Sequence, residues 1–311
     1  MKSILAFALF VLLLCPPSMA ETPTTTDLAS PFFLMGDGRL KLKNIKNGLV
    51  ADVKLVTDDL TLNDSAFDKI DQVFGFPTKA KGEHISQRML FMLDYFSDLA
   101  AKGKTIHIKS GYRSPTHNQS LRDQGKTAAK TSTHVDGMAL DFYITGVDGK
   151  EMWELIRSKD CCGAGNYGGN TVHLDSGRPR FWQKETSKVW TGESDFNRNI
   201  YLSTDYDKYR QGATVRMFFT SISDFGFGVK KRVFFVTDTE GNAVVAKTMI
   251  NTTSGTECLP VTTRDEARFI YAEIPPDLEP GFYRIKIDFC QRPSEEMPES
   301  RVSNLIEIVA E

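Results

Sequence analysis

The stretch STHVDGMALDF, residues 132–142, sets an imidazole and a carboxylate on either side of a glycine. In one continuous helix His134 and Asp141 would share a face but stand about 10.5 Å apart along the axis. In one continuous strand they would be more than roughly 20 Å apart and on opposite faces. A metal ion with bonds of about 2 Å accepts neither arrangement. A turn between them does, and Gly137 is where the backbone turns most easily. After it, ALDFYI alternates as a strand, with Leu140, Phe142 and Ile144 on the buried face and Asp141 and Tyr143 on the other.

NTVHLDSG, residues 170–177, follows the same plan: Val172 and Leu174 alternate with His173 and Asp175. If the two strands are neighbours, His173 and Asp141 meet across the pair, where Cβ atoms come within about 5 Å. His134 closes the set from its loop. Two imidazoles and one carboxylate leave a fourth position open, which is the catalytic zinc arrangement rather than the closed structural one. Water bound there has its pKa lowered to about 7.

These residues need a scaffold. Helical spacing of Ile85, Met89, Leu90, Met92, Leu93, Phe96 and Leu99 predicts a helix over 84–101, and a second is expected over 65–77. Short strands are expected between Phe32 and Leu60. KTIHIKS reads as a strand that breaks at Gly111, and a short helix ending at Gly125 follows. After about Asn197 the pattern becomes alternation, cleanest in GFYRIKIDF, where Tyr283, Ile285, Ile287 and Phe289 share a face. About seven such strands predict an immunoglobulin-like sandwich. The expected fold is α+β, a small antiparallel sheet with packed helices over 31–196, followed by an all-β sandwich over 197–311.

Residues 1–20 carry Lys2, an apolar run and a small-residue end, the grammar of a secretory signal. Residues 21–30 read as a flexible lead-in. The apolar run falls short of the about 20 residues a membrane span needs, and no later segment is apolar enough to cross a bilayer. An exported protein is expected, in the periplasm or, as the alternative, released outside the cell. Lys and Arg number 38 against 40 Asp and Glu, a net charge of −2, which argues against a nucleic-acid partner. Export permits disulfides. Cys258 with Cys290 is the expected pair, whereas Cys161 and Cys162 are neighbours whose bond would be strained.

SGYRSP, STHVDGMALDF and VHLDSGRPRFW together resemble the YcbK-like branch of the hedgehog/DD-peptidase superfamily of zinc peptidases, as does FFLMGDGRLKLKN. The resemblance covers about residues 31–183. It implies that His134, Asp141 and His173 bind Zn2+ and that the substrate is a peptide bond of the peptidoglycan stem or cross-link. Arg113, on a glycine turn after a strand, can hold a substrate carboxylate or stabilise a developing oxyanion. Tyr112 and Ser132 can add hydrogen bonds.

The match is incomplete at the general base. Many superfamily members carry one two or three positions before the last histidine, where this chain has Asn170 and Thr171. Asp175 is the nearest ionisable candidate, either as the base or as a partner that orients an imidazole. The glycine-rich CCGAGNYGGN is expected to wall the site, Trp182 to anchor the core, and His107 and His117 to be structural. The main expectation is an exported zinc peptidase. The rival is a catalytically slack, metal-retaining cell-wall binding or scaffold protein. The partner of the C-terminal sandwich stays open between a protein, a glycan and none.

Overall fold

The computed structural model describes residues 30–126, 128–187 and 195–310. The expected signal and nearly all of the lead-in lie outside them. Among the described residues, no helix is long and apolar enough to cross a membrane.

The N-terminal part is α+β. Its seven strands are β1 (Arg39–Asn44), β2 (Val50–Lys54), β3 (Ile106–Ser110), β4 (Ala139–Ile144), β5 (Gly163–Asn166), β6 (Val172–Asp175) and β7 (Arg180–Gln183). They form one sheet in the order β2-β1-β3-β4-β6-β5-β7. Neighbours are antiparallel except for β1 with β3 and β5 with β7. Helices α1 (Asp64–Phe74), α2 (Thr78–Lys81), α3 (Gln87–Ala101), α4 (Pro115–Asp123) and α5 (Gly149–Arg157) complete this part. Helix α1 packs on β1 and β2, and α3 and α5 pack on each other and on β6. The periodic face of α3 is core: Met89, Leu90, Leu93 and Phe96 are fully buried. Its first turn is capped by Ser86, whose hydroxyl accepts from the Met89 N–H and whose own N–H donates to the Gly137 carbonyl. The helix start is thereby fastened to the turn between His134 and Asp141.

The C-terminal part is all β. Strands β8 (Tyr201–Thr204), β10 (Thr214–Thr220) and β14 (Ile270–Glu273) make one sheet. A second runs β12 (Val244–Met249), β11 (Phe227–Val236), β15 (Gly281–Gln291), β17 (Ile306–Val309) and β9 (Lys208–Arg210). Strand β13 (Cys258–Val261) joins β11, and β16 (Ser300–Val302) joins β15. In β15 the alternation holds as expected, with Tyr283, Ile285, Ile287 and Phe289 buried. The structure joins Cys258 to Cys290, and the neighbours Cys161 and Cys162 are also a disulfide pair.

One apolar core runs through both parts. Phe32 stacks on Phe91 and touches Tyr206. Buried ion pairs span the same boundary. Arg88 meets Asp207 at 2.8 Å, and Glu83 takes Arg268 at 2.9 Å and Arg216 at 2.8 Å. Burial alone would raise the Glu83 pKa, but the two guanidinium groups outweigh it and hold the carboxyl below its ordinary range. A carboxylate depressed in the folded state stabilises above its unfolded pKa and loses that contribution as pH falls through its folded pKa. Glu83→Ala leaves two arginines without their buried partner, so it is expected to lose about 3–5 kcal/mol. Urea unfolding of both proteins at pH 7 and below pH 4 checks this: the difference should shrink at the lower pH.

Candidate metal centre and cleft

Gly137 makes the turn that the spacing of His134 and Asp141 demands. Its φ is +66°, and a Cβ there would collide with the Phe76 ring. Beyond the turn, β4 pairs with β6 so that Asp141 lies directly opposite His173. The same row continues outward through Ser110 on β3, Gly165 on β5 and Trp182 on β7.

His134 is oriented by the backbone. Its Nδ1 lies 2.8 Å from the Gly111 carbonyl, an acceptor, so Nδ1 carries the proton and Nε2 the lone pair. The His134 carbonyl in turn accepts from the Arg113 N–H. Nε2 is buried and has no hydrogen-bond partner, although Asp141 Oδ1 is 3.4 Å away. That oxygen lies 2.9 Å from His173 Nδ1. One ligand atom from each of the three residues lies within 4.8 Å of the others. A buried, unpartnered imidazole nitrogen facing a carboxylate and a second imidazole suits a cation. The electrostatics agree. Burial disfavours a charged His173, yet the carboxylates on either side push its pKa up to about 9. Burial works against the Asp141 carboxylate too, but the histidines hold it ionised, far below the usual range. The pocket favours positive charge between these groups.

Asp175 stands behind His173, with Oδ2 2.8 Å from Nε2. It is fully buried, and Arg180 grips it with two nitrogens at 3.0 and 2.7 Å while the Gly177 N–H donates to Oδ1. Burial would raise its pKa, but Arg180 and His173 hold it well below the usual carboxylate range. With its oxygens so engaged, it is placed to fix the ring of His173 rather than to accept a proton from water. Position 171 offers no base either: the Thr171 hydroxyl accepts from Lys109 Nζ. Asn170 is exposed.

The glycine-rich segment walls the site. A Cβ on Gly163 would collide with Asp175 and Arg180, and one on Gly165 with the Trp182 ring. The two gaps let β7 side chains reach across β5 to β6. Trp182, expected as a core anchor, is only half-buried and lies 5.7 Å from His173, ring to ring, and edge-on to Tyr167. Tyr167 was not legible as a site residue, although its segment was. Burial, then the charge of Asp141, raises the pKa of its hydroxyl, which stays protonated.

A cleft of about 860 Å³ opens in front of His134 and His173 and is lined by Arg113, Ser132, Tyr167 and Trp182 among others. Arg113 donates to Asn118 at 3.1 Å. Tyr112 is not brought to the cleft: its N–H is held by the Phe74 carbonyl and its ring packs edge-on against Phe76, so the substrate contact expected of it has no geometric support. His107 stacks on Tyr143, away from the cleft. His117 lies in the first turn of α4.

Residues 36–182 match the family model described as Peptidase_M15_2: Peptidoglycan L,D-endopeptidase MepK. The chain is 38% identical over 80 residues to the peptidoglycan L,D-endopeptidase MepK of Escherichia coli K12, covering 25% of this chain and 44% of that protein. It is 34% identical over 88 residues to the probable peptidoglycan L,D-endopeptidase MepK of Haemophilus influenzae, covering 28% of this chain and 47% of that protein. The chain thus spans less than half the length of the curated relatives it matches. Over its N-terminal part it resembles the YcbK-like zinc peptidases, with an additional C-terminal β part.

Asp175→Asn keeps all three candidate ligand atoms but weakens the hold on His173. Divalent-metal affinity, read by competition with a chromogenic chelator, is expected to fall about 10–100-fold. His134→Ala, which removes a ligand atom, should fall further.

Proposed function

Starting from the similarity of residues 36–182 to peptidoglycan L,D-endopeptidases, we propose that this chain is an exported zinc peptidase that hydrolyses peptide bonds in peptidoglycan stem peptides or cross-links. The observation that carries the reading is the convergence of His134, Asp141 and His173 on one point, with the two histidines lining a cleft and the Nε2 lone pair of His134 otherwise unpartnered. These three residues would hold the zinc, and Asp175 would keep the His173 ring in place. Zinc in such a site supplies Lewis-acid polarisation and lowers the pKa of a water. The relatives' name, peptidoglycan L,D-endopeptidase, points to an L,D peptide bond as the one cut. The division is read as a peptidase domain over 31–196 and an immunoglobulin-like domain over 197–311. Export is read from residues 1–20, and a cell-wall substrate favours the periplasm over release outside the cell.

The chain's own residues supply the rest. Arg113 lines the cleft beside His134, where its guanidinium can take a substrate carboxylate or a developing oxyanion. The Tyr167 hydroxyl, kept protonated by its surroundings, donates to the same oxyanion. Ser132 lines the cleft and adds a hydroxyl. Trp182 lines the cleft beside the His173 ring and offers an apolar face there.

A second reading has its own observation. Asn170 and Thr171 occupy the positions where many relatives carry a base, and Asp175 is fully engaged. Measured against the pattern of the superfamily that the sequence resembles, this favours a metal-retaining wall-binding protein with weak turnover.

Incubation of the purified protein with cross-linked muropeptides separates the two. New amine groups that vanish with chelator and return with zinc support the peptidase, whereas intact muropeptides with tight wall binding support the rival. For the peptidase, Tyr167→Phe is expected to lower kcat about 10²-fold, with KM changed little, if the hydroxyl acts on the oxyanion. An unchanged kcat removes that role.

A further inference from the structure

The cleft has a second wall that the family match does not reach. Asp195, Arg198, Asn199, Ser221 and Ser223 line it opposite the N-terminal residues. The charge of the lining is one-sided. Among the described residues it includes Arg113, Lys130, Arg178, Arg180, Lys184 and Arg198, against one acid, Asp195. The chain as a whole carries a net charge of −2, so this concentration is local. Arg180 is committed to Asp175, Lys130 lies 3.5 Å from Asp224, and Arg198 lies 3.1 Å from Glu296. Arg178 and Lys184 form no ion pair among the described residues. Burial, and after it the proximity of Arg180, lowers the Arg178 pKa.

The wall is fixed to the metal centre. Asp136, two residues beyond His134, is buried and ion-paired with Arg264 of the C-terminal part. Its other oxygen accepts from the Ser221 N–H at 3.3 Å. The loop carrying His134 and the strand end carrying Ser221 therefore hold one geometry, and the cationic groups are presented at a set place relative to the ligand trio.

We propose that the C-terminal part completes a substrate subsite, in which Arg178, Lys184 and Arg198 bind free carboxylate groups of the peptide flanking the bond at the metal centre. The inference rests on the peptidase reading and deepens it: the substrate is a peptide with several free carboxylates, and amidation of those groups discriminates against it. The chemistry is charge-assisted pairing of guanidinium and ammonium groups with carboxylates in a partly enclosed cleft. The residues that set this preference lie on both parts of the chain.

The test reads binding apart from cleavage. The full-length mature protein, held in chelator, is titrated calorimetrically with a synthetic stem peptide of D-glutamate and diaminopimelate with free carboxylates, and with the same peptide as carboxamides. The free form is expected to bind about tenfold more tightly at low salt, with the preference fading as salt rises. In the triple variant Arg178→Ala, Lys184→Ala, Arg198→Ala the preference should fall to about twofold or less, with metal content and melting temperature unchanged. Lys184→Ala alone breaks no ion pair and should still lower the preference, which guards against a folding artefact. Equal binding of the two peptides to the unsubstituted protein overturns the subsite, as does a preference that survives the triple substitution. An equal gain for an oligonucleotide of the same charge overturns the carboxylate assignment. Zinc-dependent cleavage without charge preference sinks the subsite alone, and charge preference without cleavage sinks the peptidase reading alone.

Discussion

Asp141 faces His173 because β4 and β6 pair in one register. Strand side chains alternate, so a slip of one residue would carry Asp141 to the helix-packed face and bring Leu140 or Phe142 to the cleft. Such a slip is opposed by the core, since Leu140, Phe142, Val172 and Leu174 are all buried and would have to surface. The apolar side of the sheet thus enforces the polar side. His134 enters from outside this pairing and depends on a separate device, the left-handed turn at Gly137 seated on Phe76. Two independent constraints, a register and a turn, meet at one point.

Strand β5 contributes by what it lacks. Gly165 sits between His173 and Trp182, and Gly163 between Asp175 and Arg180. Each missing side chain lets a residue on β7 reach a residue on β6. One gap admits an aromatic lid, the other a buried guanidinium. The carboxylate held by that guanidinium fixes the imidazole from behind, so the orientation of the His173 ring is traced through two strands to an arginine. Placing Asp175 in a fully buried site is tolerable only because every face of it is paired.

Much of this was legible beforehand, and the limits have physical reasons. The α3 helix and the strands β4 and β6 follow from periodicity and alternation, which are local; the meeting of Asp141 with His173 follows only once those strands are neighbours, which their register supplies. Strand β5 was hidden because GAGN has no alternation to read, its glycines being chosen by neighbours distant in sequence. Tyr112 was misplaced because nearness in sequence to Arg113 said nothing of the Phe76 ring that captured it. A core position for Trp182 is the expectation from the usual burial of large aromatics, and only the packing of β7 sets it in the cleft. The cationic lining escaped notice because net charge averages over the whole chain, whereas a cleft samples a few residues brought together by folding.

The pairing of Asp136 with Arg264 ties the loop carrying His134 to a sheet that begins some sixty residues later. In evolutionary terms the C-terminal β part is therefore no freely exchangeable appendage. Grafting a different module in its place would strip the buried acid of its counter-charge next to His134, so any lineage that swapped it would have had to rewrite that loop at the same time.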